Sequence, residues 1–214
     1  MIKALIFDFD GVIADGDQPR YLFLQQEFTK RGVILDPDMF PNTVGKATTT
    51  LFQTLFKDLN SEIKEEVLQS YETVYKSSIE ERVVAYKETV EFIKEYSGNT
   101  IIALTTNRDK YPLLNLLKKY QIEKHFQVII TKDMVTLPKP DPQIYLLTVK
   151  TIGVKADECI AVEDSVIGAR SAIDAGLNCY IFLNQYNTEE MFKELDVKGF
   201  IKTKSDYFRL TSNI

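Results

Sequence analysis

Four short stretches of this sequence hold the side chains able to do chemistry. Asp8-Phe9-Asp10-Gly11 sets two carboxylates two residues apart, and Thr105-Thr106-Asn107 offers hydroxyls and an amide. Leu137-Pro138-Lys139-Pro140-Asp141-Pro142 offers one ammonium, and Val162-Glu163-Asp164-Ser165 adds a second acid pair. In an extended strand, residues two apart point the same way, so Asp8 and Asp10 share a face, and Gly11 then permits a sharp turn away. Each stretch alone has an ordinary explanation. An acid pair beside glycine occurs in plain turns, Thr-Asn in loops, a lone lysine in solvent, and acids before serine at helix starts. Their joint order along the chain is what asks for a common cause.

The elements around them supply it. Apolar, β-rich runs occur at residues 2–7, 100–104, 128–130, 159–162 and 179–183, and helical patterns lie between them at 89–96, 111–120, 144–152 and 166–175. Strands alternating with helices mean βαβ units and a mainly parallel sheet, so the expected fold class is α/β with a Rossmann-like open parallel sheet. Residues 16–83 break the alternation. They read as helices at 21–30, 48–59 and 63–79, separated at Asp36-Pro37 and Phe40-Pro41-Asn42, and a structureless loop of that length is implausible. The expected organisation is therefore an α/β catalytic core of residues 1–15 and 84–214 with an all-helical cap domain, 16–83, inserted after the first strand. Ligands of open α/β sheets bind at the carboxyl ends of the strands, where the four stretches fall. Asp109 is the expected cap of the helix after Asn107, and Asp141 that of the helix starting at Pro142. Ser165 is the expected cap before Gly168-Ala169, which let that helix pack closely.

Brought together, these acids cannot all stay charged unaided. Two carboxylates a few ångströms apart repel by roughly 1 kcal/mol in water and about 4 kcal/mol at an effective dielectric of about 20. Protons or a cation must offset that repulsion. Oxygen ligands with open positions suit Mg²⁺, and Lys139 adds one further positive charge.

Composition narrows the field. The 214 residues are 44% hydrophobic and 27% charged, an ordinary globular balance. A net charge of −5 argues against nucleic acid as a partner, whose phosphates need clustered Lys and Arg. Cys159 and Cys179 lack the spacing of a metal knuckle or redox pair and read as buried apolar residues in a reducing compartment. No apolar run approaches the ~20 residues of a membrane helix, and the N-terminal run reaches Asp8 too soon for a signal peptide. A soluble, cytoplasmic protein is expected.

The ordered set Asp8-Phe9-Asp10-Gly11-Val12-Ile13-Ala14-Asp15, Thr106-Asn107, Lys139-Pro140-Asp141-Pro142 and Val162-Glu163-Asp164-Ser165 with Gly168 resembles the haloacid dehalogenase superfamily. The likeness is to its helical-cap (subclass I) phosphatase and β-phosphoglucomutase-like branch, and it runs from residue 1 to about 183. It implies a Mg²⁺-dependent phosphatase acting on a small phosphorylated metabolite. By the resemblance, Asp8 attacks phosphorus to form an aspartyl-phosphate, and Asp10 protonates the leaving oxygen and then activates water. Mg²⁺ would be held by Asp8, the main-chain carbonyl of Asp10 and Asp164, with Glu163 supporting that shell. Thr106 and Asn107 would donate hydrogen bonds to the phosphoryl group, and Lys139 would offset its charge.

Other readings compete. A sugar-phosphate mutase of the β-phosphoglucomutase type carries a histidine and an arginine where this chain has Arg20 and Thr48. A phosphonatase needs a cap lysine, and Lys46 lies two places short of it. From another class, a phosphoacceptor signalling domain shares the Asp, Thr and Lys but has no inserted helices, and a non-catalytic scaffold would not need every motif residue. His125 reads as a helix-end residue. Neither the physiological monoester nor the oligomeric state is legible in these patterns.

Overall fold

The computed structural model describes residues 1–96 and 100–211. Six parallel strands form one sheet: β1 (Ala4–Phe7), β4 (Ile101–Thr106), β5 (Val128–Thr131), β6 (Cys159–Glu163), β7 (Asn178–Phe182) and β8 (Gly199–Ile201), in the order β5-β4-β1-β6-β7-β8. The expected α/β class and open parallel sheet are what the chain adopts. The strands alternate their side chains between two apolar layers. Leu5, Phe7, Ile102, Leu104, Ile160 and Val162 face one core, and Ala4, Ile6, Ala103, Cys159, Ala161 and Cys179 face the other.

Helices cover both faces. α5 (Lys87–Glu95), α6 (Lys110–Tyr120) and α9 (Lys204–Thr211) supply Phe92, Leu113, Leu116, Leu117 and Tyr207 to the first core. α7 (Gln143–Ile152) and α8 (Val166–Asp174) supply Ile144, Tyr145, Ala169 and Ala172 to the second. Both cysteines are buried and unbridged, as expected.

Between β2 (Ala14–Asp15) and β3 (Val84–Ala85), which pair antiparallel, the chain is helical, and no strand occurs among residues 16–83. The two-residue ribbon was not legible, because each half is too short to show a period. α1 (Asp17–Lys30) starts four residues before the predicted 21. The predicted helix 48–59 is only α2 (Thr48–Gln53), since Phe56 N–H turns back to Leu51 O at 3.0 Å and buries its ring. The predicted helix 63–79 is α3 (Ser61–Ser70), then a π-turn at Tyr71–Tyr75, a 3-10 turn at 76–78 and α4 (Ile79–Arg82). The π-turn stacks Tyr71 on Tyr75, with ring centroids 5.0 Å apart.

The caps follow expectation in part. Ser165 Oγ accepts from Gly168 N–H at 3.1 Å. Asp109 occupies the position before α6, but its side chain makes no capping hydrogen bond and pairs with Lys132 at 3.2 Å. Pro142 precedes α7 rather than opening it, and Asp141 accepts from Gln143 N–H at 2.9 Å. No helix among the described residues is long and apolar enough to cross a membrane.

Candidate active site

Register alone places the acids. Phe7 of β1 lies opposite Leu104 of β4 and Val162 of β6, so the next residue along each strand puts Asp8, Thr105 and Glu163 level at the carboxyl end of the sheet. Asp8, Glu163 and Asp164 are all buried, and one carboxylate oxygen from each lies within 4.8 Å of the others. Gly11 allows this approach. Its φ is +78°, and a Cβ there would sit 1.8 Å from Asp164 Oδ2. Gly168 does the same for α8, where a Cβ would lie 2.1 Å from Glu163 Oε2.

Lys139 is the cation of the cluster. Its Nζ lies 3.0 Å from Asp8 Oδ1 and donates to Glu163 Oε1 at 2.6 Å and Thr105 O at 2.9 Å. Tyr145 O–H also donates to Glu163 Oε1 at 2.6 Å. Glu163 therefore holds Lys139 in place through direct contact, besides bringing an oxygen within 4.8 Å of those of Asp8 and Asp164. Burial would lower Lys139, but Asp8 and Glu163 outweigh it and hold its ammonium above the usual range.

Asp8 Oδ1 thus has Lys139 as its ion-pair partner, whereas Asp164 Oδ1 is buried without a hydrogen-bond partner. Burial, more than Lys139 can offset and with Glu163 and Asp10 adding to it, pushes Asp8 up to about 8. Burial and the Asp8 and Glu163 charges also raise Asp164 well above the carboxylate range. Three carboxylates that bring oxygens within 4.8 Å of one another, one of them with an oxygen lacking a partner, fit a hard divalent cation such as Mg²⁺, whose charge would let the acids ionise.

The remaining predicted residues converge on the same cavity. Thr106 Oγ1 is buried, lines the cavity and accepts from Arg108 N–H at 3.1 Å, which leaves its O–H to donate. Asn107 also lines the cavity, but its amide grips the main chain of Lys139: Oδ1 accepts from Lys139 N–H at 3.0 Å, and Nδ2 donates to Lys139 O at 3.3 Å. Besides lining the cavity, this side chain thus fixes the lysine loop. The Asp10 carboxylate lines the cavity but does not join the three-acid cluster; Arg108 engages it at two points, Nε to Oδ2 at 3.1 Å and a second nitrogen to Oδ1.

Sequence reasoning passed over Arg108, although it directly follows Thr106-Asn107 at the tip of β4. It also passed over Asn184, beyond β7, whose Nδ2 donates to Gly11 O at 2.9 Å and to Asp164 Oδ2 at 3.1 Å. No sequence signal marks that residue. Arg20 is not a free cap cation. It is paired with Asp17 and donates to Lys46 O at 2.6 Å and Thr43 O at 3.0 Å. Arg31 is paired with Glu27 and Glu66. His125 ends a short 3-10 turn, and burial lowers its imidazole.

Comparison with known proteins places this arrangement. The profile of the haloacid dehalogenase-like hydrolases matches residues 5–182. The chain is 33% identical over 203 residues to the Bacillus subtilis (strain 168) protein named "Putative phosphatase YhcW", spanning 92% of this chain and 90% of that one. It is 28% identical over 181 residues to a phosphorylated carbohydrates phosphatase of Thermotoga maritima, with 82% of each covered. The crystal structure of CbbY from Rhodobacter sphaeroides in complex with phosphate shares the fold, with a TM-score of 0.78 at 21% identity over 96% of both chains.

Proposed function

The chain belongs to the haloacid dehalogenase-like hydrolases, and from that premise we propose that it is a Mg²⁺-dependent phosphatase that cleaves a small phosphorylated metabolite through an aspartyl-phosphate on Asp8. One observation carries the reading: Asp8, Glu163 and Asp164 bring buried carboxylate oxygens within 4.8 Å of one another, with Lys139 3.0 Å from Asp8 and an Asp164 oxygen left without a partner. A carboxylate so placed is poised for a partner from outside the chain.

In this reading an Asp8 oxygen attacks phosphorus as the bond to the leaving oxygen breaks, and Asp10 gives that oxygen a proton. Asp10 then takes a proton from water as the water attacks the aspartyl-phosphate, which restores Asp8 and releases phosphate. Lys139, held by Glu163 and Thr105 O, balances charge on Asp8 and the phosphoryl oxygens, and the Thr106 hydroxyl donates to them. Asp8, Asp164 and the Asp10 carbonyl would hold Mg²⁺, with Glu163 beside them, and the bound ion would neutralise phosphoryl charge. Residues 16–83 act as the cap over a core of residues 1–15 and the described residues from 84 onward. Two buried free thiols suit a reducing, cytoplasmic setting. Mutase-type transfer gains no support from Arg20, whose guanidinium is engaged within the helical segment.

Phosphate release from a generic aryl phosphate, with and without EDTA, tests the proposal. Turnover that stops with EDTA and returns with excess Mg²⁺ is expected. No turnover under either condition, or turnover indifferent to EDTA, would contradict it.

A further inference from the structure

Residues 184–187, which follow β7, touch three places at once. Toward the acids, Asn184 Nδ2 donates to Asp164 Oδ2 and Gly11 O, and the buried Asn187 donates to Asp164 O at 2.7 Å. Toward β2, where the chain enters the helical insertion, Tyr186 O–H donates to Asp15 Oδ2 at 2.6 Å and Gln185 Nε2 to the same oxygen at 3.1 Å. Toward the insertion itself, the Tyr186 ring meets Phe40 edge to face, with centroids 5.0 Å apart. Phe40 in turn packs on Tyr21 of α1 at 5.3 Å. None of the four residues lines the cavity over Asp8.

The segment is tied to itself. Asn184 Oδ1 accepts from Tyr186 N–H at 2.8 Å, and Asn187 Oδ1 accepts from Asn184 N–H at 3.1 Å. Side-chain amides that close short main-chain turns in this way fix the turn. The Asn184 amide thus has Asp164 on its nitrogen and the main chain of Tyr186 on its oxygen. A shift of the Asp164 carboxylate therefore reaches Tyr186 through two hydrogen bonds on one planar group. The space in the cavity open to water-molecule centres is about 50 Å³, room for a few waters and less than a phosphorylated metabolite needs. The insertion must withdraw to admit one.

We propose that Tyr186 is a positioning residue that couples a divalent cation at the acid cluster to the seating of the helical insertion on the sheet. Asp164, held in one orientation by the ion, fixes Asn184, and through it the Tyr186 hydroxyl on Asp15 and the ring against Phe40. Coupling of this kind is reciprocal: seating the insertion strengthens cation binding by the factor by which the cation strengthens seating. The inference rests on the Mg²⁺ reading above and adds a link from the ion to the insertion that bypasses the substrate cavity.

The test reads binding and exchange rather than turnover. Mg²⁺ alone is titrated calorimetrically into the full chain, and amide hydrogen exchange is followed by peptide with saturating Mg²⁺ and with EDTA. In the wild type, Mg²⁺ is expected to slow exchange at the 3-10 turn Pro37–Asn42 by about fivefold or more. Tyr186→Ala is expected to bring that difference to within about twofold and to raise the Kd for Mg²⁺ by about fivefold. A merely supporting residue would loosen the turn equally with and without the ion and leave the difference intact. If circular dichroism shows Tyr186→Ala unfolded, Phe40→Ala, on the opposite side of the contact, takes its place with the same expectation. A wild type that binds Mg²⁺ with no change at Pro37–Asn42, or a variant that keeps the full difference or the wild-type affinity, would overturn the coupling while leaving the phosphatase standing. A wild type that binds no Mg²⁺ would overturn both.

Discussion

Asp164 is held by one short segment beyond β7. Asn184 donates to its Oδ2 and Asn187 to its main-chain oxygen at 2.7 Å, which leaves Oδ1 as the oxygen without a partner. Groups that orient a metal ligand commonly matter almost as much as the ligand. Asn184→Ala is therefore expected to raise the Mg²⁺ concentration for half-maximal activity by about tenfold, with kcat recovering at high Mg²⁺; isothermal titration of the cation checks it without turnover. An unchanged cation affinity would remove Asn184 from the site. At this scale the sequence singled out residues whose type is unusual for their place, Asp8, Asp10, Glu163 and Asp164 around strand ends and Lys139 in the loop before α7. Asn184 escaped because an asparagine after a strand is ordinary turn chemistry, and its contact with Asp164 joins residues 20 apart. Asn107 was found for its type, but its partner, the Lys139 main chain, could not be read from spacing.

Among the elements, α3 gives the cleanest local test. Asn60 accepts from the N–H groups of Glu62 and Ile63 at 2.9 and 3.1 Å, satisfying donors at the helix start that otherwise have none. Asn60→Ala is expected to cost about 1 kcal/mol in chemical denaturation, with kcat/KM unchanged because Asn60 lies outside the cavity lining. Gly11→Ala should behave differently. Its positive φ alone costs about 1–2 kcal/mol, and the added Cβ would collide with Asp164 Oδ2, so turnover should fall much further than stability. Equal, small effects on both would show that the turn after Asp10 does not set the geometry of the acids. Strands and core helices were legible because buried runs and amphipathic periods are strong signals. Residues 54–82 were less so: a π-turn and a 3-10 turn keep apolar residues inside without a 3.6-residue period, and tertiary packing decides where each helix stops.

For the whole molecule, the central fact is a sheet whose two middle strands, β1 and β6, end in three buried carboxylates with one lysine between them. Without a cation these acids relieve their mutual repulsion by holding protons, as the raised Asp8 and Asp164 show. A cation that binds only the folded chain should stabilise it, by about 2.7 kcal/mol at a hundredfold excess over Kd. For a chain of this size that is a rise in Tm of several degrees, about 2–4 °C per kcal/mol. Differential scanning calorimetry with Mg²⁺ and with EDTA should show the rise in the wild type and a much smaller one in Asp164→Asn; no rise in the wild type would remove the metal from the account. The inserted helical segment was legible as a break in strand–helix alternation, whereas its fit over the sheet, which sets the cavity, depends on contacts distant in sequence. The most direct measurement of the central claim traps the enzyme during turnover with Mg²⁺, quenches in acid and maps added mass by peptide. The expected result is one phosphoryl group on the peptide containing Asp8, absent from Asp8→Asn. A phosphoryl group on another residue, or an Asp8→Asn variant that still releases phosphate at a rate near the wild type, would contradict it.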